Sequence, residues 1–129
     1  MEGASGRTAA PSFLLEMTPD GLVIGTHVLA RPQFGSANYD FIMYMISHAN
    51  DILRFDDVIE AAGLPKRGTK RLPHYLNELG FNGALKKLYW PATSGGVVWL
   101  SNPITEDRLA HYLPPEKLKN ATITNLLDL

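Results

Sequence analysis

The chain has 129 residues, of which 45% are hydrophobic and 19% charged, a composition typical of one folded domain and not of a disordered or fibrous protein. Cysteine is absent, which excludes disulfides, thiolate metal sites and thiol nucleophiles. The net charge of −1 excludes a uniformly basic protein, so any attraction to nucleic acid must come from local clustering of charge. The longest apolar run, Phe41 to Ile46, is too short to span a bilayer. We therefore expect a cytoplasmic protein, or a nuclear one if the source is eukaryotic.

The start of the chain predicts a leader followed by a β-hairpin. Residues 1–11 are small and polar without periodicity, and we expect them to be a disordered leader. The runs Phe13–Met17 and Leu22–Leu29 are strand-like, and Thr18–Gly21 between them has the composition Thr-Pro-Asp-Gly of a tight turn. Residues 30–37, which include a proline and a glycine, are predicted to be a loop.

A helix and a short strand follow. The segment Tyr39–Ala49 predicts a helix with Asn38 as its N-cap. Its apolar centre, Phe41–Ile46, could equally form a buried strand by periodicity alone, and the cap and the methionines favour a helix. The partly alternating segment Asp51–Phe55 predicts a brief strand.

Two further helices are predicted after this strand. The first runs over Asp56–Ala62 and ends at Gly63. The second is predicted over Thr69–Leu79, with Thr69 as its N-cap and with Pro73 in the first turn, where a missing N–H costs little. Its buried stripe is expected to consist of leucines at helical spacing with a tyrosine beside them: Leu72, Tyr75, Leu76 and Leu79.

Two β-prone runs, Leu85–Trp90 and Val97–Leu100, are separated by a glycine-containing segment and predict a second hairpin. Trp99 is expected to pack in the core. Trp90 has two open interpretations: it packs in the core, or it is exposed and stacks on a base or on a protein partner.

The C-terminal tail, residues 105–129, combines a helical pattern with many apolar side chains. Glu106–Tyr112 predicts a short helix, which Pro114 and Pro115 end. An apolar terminal segment must dock on its own domain or on another chain. We expect a homodimer formed through the tail, in which Leu126 and Leu127 are interaction residues.

The order helix, strand, helix, helix, hairpin between residues 38 and 100 resembles the winged helix-turn-helix superfamily. In this resemblance helix one, the first strand, helix two, the recognition helix and the wing correspond to Phe41–Ile46, Ile52–Phe55, Val58–Ala62, Lys70–Leu79 and Leu85–Leu100. It implies an α+β fold with a winged-helix domain over residues 12–104, to which the N-terminal hairpin and the C-terminal helical tail are additions. The segment Gly63–Gly68 departs from the family because it is longer than the usual turn of the motif. The implied function is non-enzymatic DNA binding that regulates transcription or replication.

A cluster of positive charge coincides with the expected recognition helix. Six of the 12 lysines and arginines lie between residues 66 and 87, and Glu78 alone opposes them there, so the local net charge is +5. Such cations neutralise phosphates and release counterions, which gives sequence-independent affinity. With double-stranded DNA as partner, we expect the major groove to contact Lys70, Arg71, His74 and Asn77, the phosphates to contact Lys66, Arg67, Lys86 and Lys87, and Thr69, Thr93 and Ser94 to lie near the backbone.

Two other interpretations remain open. The basic cluster could be a solvated surface whose charge is partly neutralised by three acids of the preceding helix: Asp56, Asp57 and Glu60. The domain could also be a protein-interaction module, an accessory subunit of a larger assembly that binds its partner through the aromatic wing and the apolar tail.

Motifs for catalysis or cofactor binding are weak. The loop Gly63–Lys70 has the glycine spacing of a P-loop, but it reads Thr-Lys where that motif requires Lys followed by Ser or Thr. The four histidines are widely separated and include no i, i+4 pair, so no metal site is predicted. Asp56 and Asp57 are adjacent and point in different directions on a helix, so they do not form a catalytic pair. We therefore expect no enzymatic activity, no cofactor and no metal.

Overall fold

The computed structural model describes residues 13–65, 70–110 and 113, and these form an α+β fold. Its elements are β1 (Leu15–Thr18), β2 (Gly21–Ile24), β3 (His27–Ala30), α1 (Ala37–Ser47), β4 (Ile52–Arg54), α2 (Phe55–Ala62), α3 (Leu72–Glu78), α4 (Gly83–Tyr89), β5 (Val97–Trp99) and α5 (Glu106–Leu109). An antiparallel sheet has the strand order β1-β2-β3, and β4 pairs with β5 in a second sheet. Outside the described residues lie the predicted leader and five predicted site residues: Lys66, Arg67, Thr69, Leu126 and Leu127.

The N-terminal sheet confirms the predicted turn and corrects the strand after it. Thr18 pairs with Gly21 across the turn. Gly21 has a φ of 124°, and a Cβ atom there would lie 2.6 Å from the carbonyl oxygen of Ala30, so only glycine fits. The single strand predicted over Leu22–Leu29 is wrong, because a turn at Gly25, with a φ of 63°, divides it into β2 and β3. Hydropathy does not reveal this break, because the residues on both sides of it are apolar.

Helix α1 forms as predicted, so the apolar run from Phe41 is helical and not a strand. Its N-cap is Ser36, whose hydroxyl accepts a hydrogen bond from the Tyr39 N–H at 3.2 Å. The predicted cap, Asn38, instead donates from its side chain to Glu78 of α3 at 3.0 Å. Helix α1 packs against β1, α2 and α3 through fully buried side chains: Phe41, Ile42 and Met45.

The next three predicted elements are confirmed, with one shifted boundary. Strand β4 and helix α2 form where expected, and Gly63 ends α2 in the left-handed conformation. Helix α3 begins at Leu72, later than predicted, with Arg71 at the N-cap position and Pro73 in the first turn. All four members of its predicted apolar stripe are buried: Leu72, Tyr75, Leu76 and Leu79.

The strand predicted over Leu85–Trp90 is wrong, because this segment forms helix α4. Its apolar residues recur at helical spacing and are buried together: Ala84, Leu85, Leu88 and Tyr89. Burial of this face outweighs the β-propensity of the aromatic pair at its end. The predicted wing hairpin over Leu85–Leu100 is therefore also wrong: β5 pairs with β4, and the segment before β5 contributes a single bridge between Ala92 and Trp99.

Trp90 is a core residue. Its side chain is 3% exposed, its ring stacks on Phe41 with the centroids 5.7 Å apart, and Phe81 meets it edge-on at 5.5 Å. The ring is thus not an exposed surface for stacking on a base or a partner. Trp99 is half-buried beside the bridge to Ala92.

Buried polar contacts connect the N-terminal sheet to the helical part. The side-chain amide of Asn102 accepts from the Leu15 N–H and donates to the Leu15 carbonyl, both at 2.9 Å, as a strand neighbour would. Asn50 bonds in the same two-fold way to the main chain of Asn102. Because each buried group has its partner, β1 is held firmly against the segment that follows β5, and Asn50 connects that segment to the loop after α1.

The tail begins with a helix, as predicted. The helix is α5, which ends at Leu109, and the structure describes one residue beyond Ala110, Leu113. Leu109 and Leu113 are buried in the core, so this part of the tail docks on its own domain. Within residues 13–65 and 70–110, no helix is long and apolar enough to cross a membrane.

The hydroxyl of Tyr89 gives a testable pH dependence. It donates to the Phe13 carbonyl at 2.7 Å, and burial raises the pKa of Tyr89 far above its usual range. A pKa raised on folding contributes stability that is complete below the unfolded value of about 10 and is lost as the pH rises above it. We expect Tyr89 to lower the free energy of unfolding by about 1.4 kcal/mol for each pH unit above about 10.

Urea unfolding at pH 8 to 11 would measure this loss. Tyr89→Phe is the matched variant: it should be about 1 kcal/mol less stable at pH 8, where the hydrogen bond is missing. Its stability should also fall less steeply at alkaline pH. If the free energy of unfolding fell with pH at the same slope in both proteins, the raised pKa of Tyr89 would be contradicted.

Candidate nucleic-acid interface

Five of the seven lysines and arginines in the described part of the chain surround one loop, residues 91–96. Two depressions lie beside this loop, and Thr93 lines both, so they adjoin each other at this residue. The first, which we call the α4 cleft, is lined by Gly83, Lys86, Lys87, Trp90, Pro91, Thr93 and Arg108. The second, the α2–α3 groove, is lined by Phe55, Asp56, Ile59, Lys70, Arg71, Leu72, Pro73, Thr93, Gly96 and Val97. We call the five cations together the basic surface: Lys70, Arg71, Lys86, Lys87 and Arg108.

Helix α4 supplies two cations to the α4 cleft. The apolar face of α4 is buried, which leaves Lys86 half-buried and Lys87 exposed near its C-terminal end. Cations are stabilised at a helix C-terminus, where the last carbonyls carry partial negative charge. The two lysines were predicted to contact phosphates from a strand, whereas they lie on a helix and line the same cleft.

Arg108 is the cation that sequence reasoning missed. From α5 its guanidinium donates to the carbonyls of Lys87 at 3.3 Å and Leu88 at 3.0 Å, and to the hydroxyl of Ser101 at 3.3 Å. It therefore supplies hydrogen-bond donors to two carbonyls at the C-terminal end of α4, and it also lines the cleft. No local sequence pattern indicates this role of Arg108. Only the packing of α5 brings Arg108 to α4, which lies about twenty residues earlier in the chain.

Three of the four residues predicted to enter the major groove are exposed. Arg71, His74 and Asn77 all lie on the side of α3 opposite its buried stripe. The Nδ1 atom of His74 accepts a hydrogen bond from the Arg71 N–H at 3.1 Å. In the neutral ring, Nε2 thus carries the hydrogen and can donate outward.

Lys70 is already engaged within the protein. Its ammonium forms an ion pair with Glu78 and lies 4.7 Å from the centroid of the Tyr75 ring. The hydrogen bonds that Lys70 and Asn38 donate hold the pKa of Glu78 below its usual range. Part of the charge of Lys70 is therefore cancelled locally, and we expect Lys70 to contribute less to anion attraction than the other cations of the surface.

Of the three acids proposed to neutralise the basic cluster, one lines a depression of the basic surface. Asp56 lines the α2–α3 groove, whereas Asp57 and Glu60 line neither depression. Among the side chains that the structure describes, Glu78 is the one carboxylate paired with a cation of the basic surface. Thr93 is half-buried at the meeting of the two depressions, and Ser94 is exposed beside it.

The arrangement is suited to holding anions. Exposed lysine and arginine side chains of one sign favour phosphate groups, and the loop between them carries hydroxyl donors. No three histidine, aspartate or glutamate side chains within the described ranges come together as a metal site. Comparisons with protein-family models, with curated proteins and with solved structures found no match to this chain.

Proposed function

We propose that this protein binds duplex DNA without catalysis and acts in the regulation of transcription or replication. The observation that carries the proposal is the sharing of Thr93 by the α4 cleft and the α2–α3 groove, which places five cations around one loop. A chain of net charge −1 has no general attraction to polyanions, so this local concentration is what would supply it.

We further propose a winged-helix arrangement in which α3 and α4 are the helix-turn-helix pair. The two helices are joined by four residues, Leu79–Asn82, a length typical of that motif, with Gly80 at a φ of 91° in the turn. The loop 91–96 then follows α4 and leads into β5, in the position of a wing. This differs from the assignment made from sequence, in which α3 is the recognition helix and the connector before it is too long.

Most contacts in this arrangement would be made to phosphates. Lys86, Lys87 and Arg108 lie together, while α3 supplies Arg71 and the amide of Asn77 at its exposed side. Phosphate contacts fix the orientation of a protein on a duplex and give salt-dependent affinity with little sequence information. We therefore expect binding with strong salt dependence and modest sequence preference.

Fluorescence anisotropy with a random duplex of about 25 base pairs would test the proposal. Four to five phosphate contacts predict that the logarithm of the association constant falls with the logarithm of the salt concentration with a slope of about −4. The corresponding single strand should bind more weakly, with a shallower slope. Absence of duplex binding at low salt would overturn the proposal.

A second candidate is suggested by the apolar part of the α2–α3 groove. Phe55, Ile59 and Val97 line it together with Lys70 and Arg71, a combination that suits an amphipathic acidic peptide. Absence of DNA binding at low salt would favour this protein-interaction function. Self-association through Leu126 and Leu127 stays a prediction, since both lie outside the described residues.

A further inference from the structure

A further depression lies where the turn between β1 and β2 meets the loop that leads from β3 to α1. We call it the hairpin depression, and it is lined by the turn Thr18–Gly21 and by Met17, Arg31, Pro32, Phe34 and Tyr39. It shares no lining residue with the α4 cleft or the α2–α3 groove. Its volume is about 240 Å³, whereas a cavity of about 150 Å³ is enough to hold a benzene ring. The hairpin depression therefore has room for an aromatic side chain.

Phe34, at the rim of the hairpin depression, is the most exposed large apolar side chain in the described part of the chain. It is 83% exposed and meets Tyr39 edge-on, with the ring centroids 5.1 Å apart. Single exposed apolar residues are common, but this one adjoins a depression whose lining is largely apolar: Met17, Pro19, Pro32 and Tyr39. A ring that lacks cover and a depression that can hold a ring thus lie side by side. A two-fold dimer requires this kind of self-complementary patch.

The charges at the hairpin depression are also self-complementary. Asp20 and Arg31 both line it, and both are exposed. A Cβ atom at Gly21 would lie 3.0 Å from the Cγ atom of Arg31, so the stem of Arg31 passes beside the turn that carries Asp20. Within the described part of the chain the ion pair present is that of Lys70 with Glu78, so Asp20 and Arg31 are not paired with each other. A partner of one charge would meet a like charge here, whereas a second copy presents an acid to the arginine and an arginine to the acid.

We infer that two copies of this chain associate with two-fold symmetry through the hairpin depression. Phe34 of each copy enters the depression of the other, and Arg31 of each copy faces Asp20 of the other. The inference goes beyond DNA binding and does not depend on it, since association is measured without DNA. Because the hairpin depression and the basic surface have no residue in common, the dimer presents two basic surfaces to a duplex.

Sedimentation velocity tests the association directly. A contact made by few side chains lies at the small end of specific interfaces, so we expect a dissociation constant on the order of 0.1 mM. In dilute protein the chain is then a monomer, and Phe34 and Arg31 behave as ordinary exposed residues in denaturation and DNA titrations. Between about 0.01 and 1 mM protein, the sedimentation coefficient should rise from the monomer value towards the dimer value. A monomer over this whole range would overturn the inference.

Alanine substitutions locate the contact. Phe34→Ala removes the ring that fills the depression and should raise the dissociation constant of the dimer about tenfold or more. Ile52→Ala is the matched control, because Ile52 is 67% exposed and lies outside the hairpin depression, and it should leave the association unchanged. The combined substitution Leu126→Ala and Leu127→Ala examines the tail in the same way. A dimer that survives Phe34→Ala, or that is lost equally with either of the other two variants, would refute this interface.

Two charge reversals determine whether Asp20 and Arg31 meet between copies. In a dimer of the Asp20→Lys variant each contact joins two cations, and in a dimer of the Arg31→Glu variant each joins two acids, so each variant alone should associate about tenfold more weakly. In an equimolar mixture of the two variants, both contacts of the mixed dimer again join a cation to an acid. The mixture should therefore associate about as tightly as the wild type. Because neither variant can be rescued within its own chain, a mixture no tighter than the separate variants would contradict the pairing.

Discussion

Replacing Phe41 with alanine is expected to lower the free energy of unfolding by about 3–5 kcal/mol. Phe41 has no exposed surface and lies at the centre of an aromatic cluster. It stacks on Tyr75 with centroids 4.8 Å apart and on Trp90 at 5.7 Å, and it meets Phe55 edge-on at 6.3 Å. Alanine would remove the buried ring and leave a cavity between α1, α2 and α3 that these large, rigid neighbours cannot fill.

Phe34→Ala is the matched control. Phe34 is 83% exposed and contacts Tyr39 at the surface, so its loss should change the stability by about 0.5 kcal/mol or less. Urea denaturation followed by circular dichroism measures both variants against the wild type. Similar midpoints for Phe34→Ala and Phe41→Ala would contradict the described core. Because Phe41 supports the ring of Trp90, we also expect Phe41→Ala to alter Trp90 emission.

The parts of the fold that sequence predicted are those with a local physical signal. The Thr-Pro-Asp-Gly turn before β2 has residues whose backbone preferences specify it, and Gly63 ends α2 because it adopts a left-handed φ at little cost. The leucine stripe of α3 follows from helical periodicity and is buried as expected. These features depend on neighbours within a few residues.

The elements that sequence missed are decided by packing. Helix α4 carries Tyr89 and is followed by Trp90, both favoured in strands, yet burial of Leu85 and Leu88 on one helical face determines its structure. Only tertiary contacts reveal this choice, since a short apolar run fits either periodicity. The turn at Gly25 was missed for a different reason: a lone glycine between two apolar segments is a weak turn signal.

For the candidate site, sequence reasoning predicted which residues are charged but not how they are arranged in space. Lys86 and Lys87 were identified because cations cluster along that part of the sequence. Their meeting with Arg108 depends on the docking of α5. Likewise, Lys70 was expected to contact the major groove, but α3 brings Glu78 next to it, and Asn38 of α1 stabilises that carboxylate. A cation that the sequence suggests is available for a ligand can thus be paired with a carboxylate of the same protein.

The combined substitution Lys86→Glu and Lys87→Glu is expected to weaken binding of duplex DNA by roughly 100-fold at 0.1 M salt. At that concentration each phosphate contact raises the association constant about eightfold. Reversal of the charge adds repulsion to the loss of two contacts. The slope of the salt dependence should become shallower by about 2. Anisotropy titrations at several salt concentrations measure both quantities, and circular dichroism verifies folding.

Single substitutions make the comparison specific to the surface. Lys87→Glu and Arg31→Glu each reverse one exposed cation and change the net charge of the chain equally, but only Lys87 belongs to the basic surface. If DNA binds there, Lys87→Glu should weaken binding about tenfold and Arg31→Glu less than threefold. If it responds to net charge alone, the two variants should lose affinity to the same extent, and the interface at the loop 91–96 would have to be abandoned.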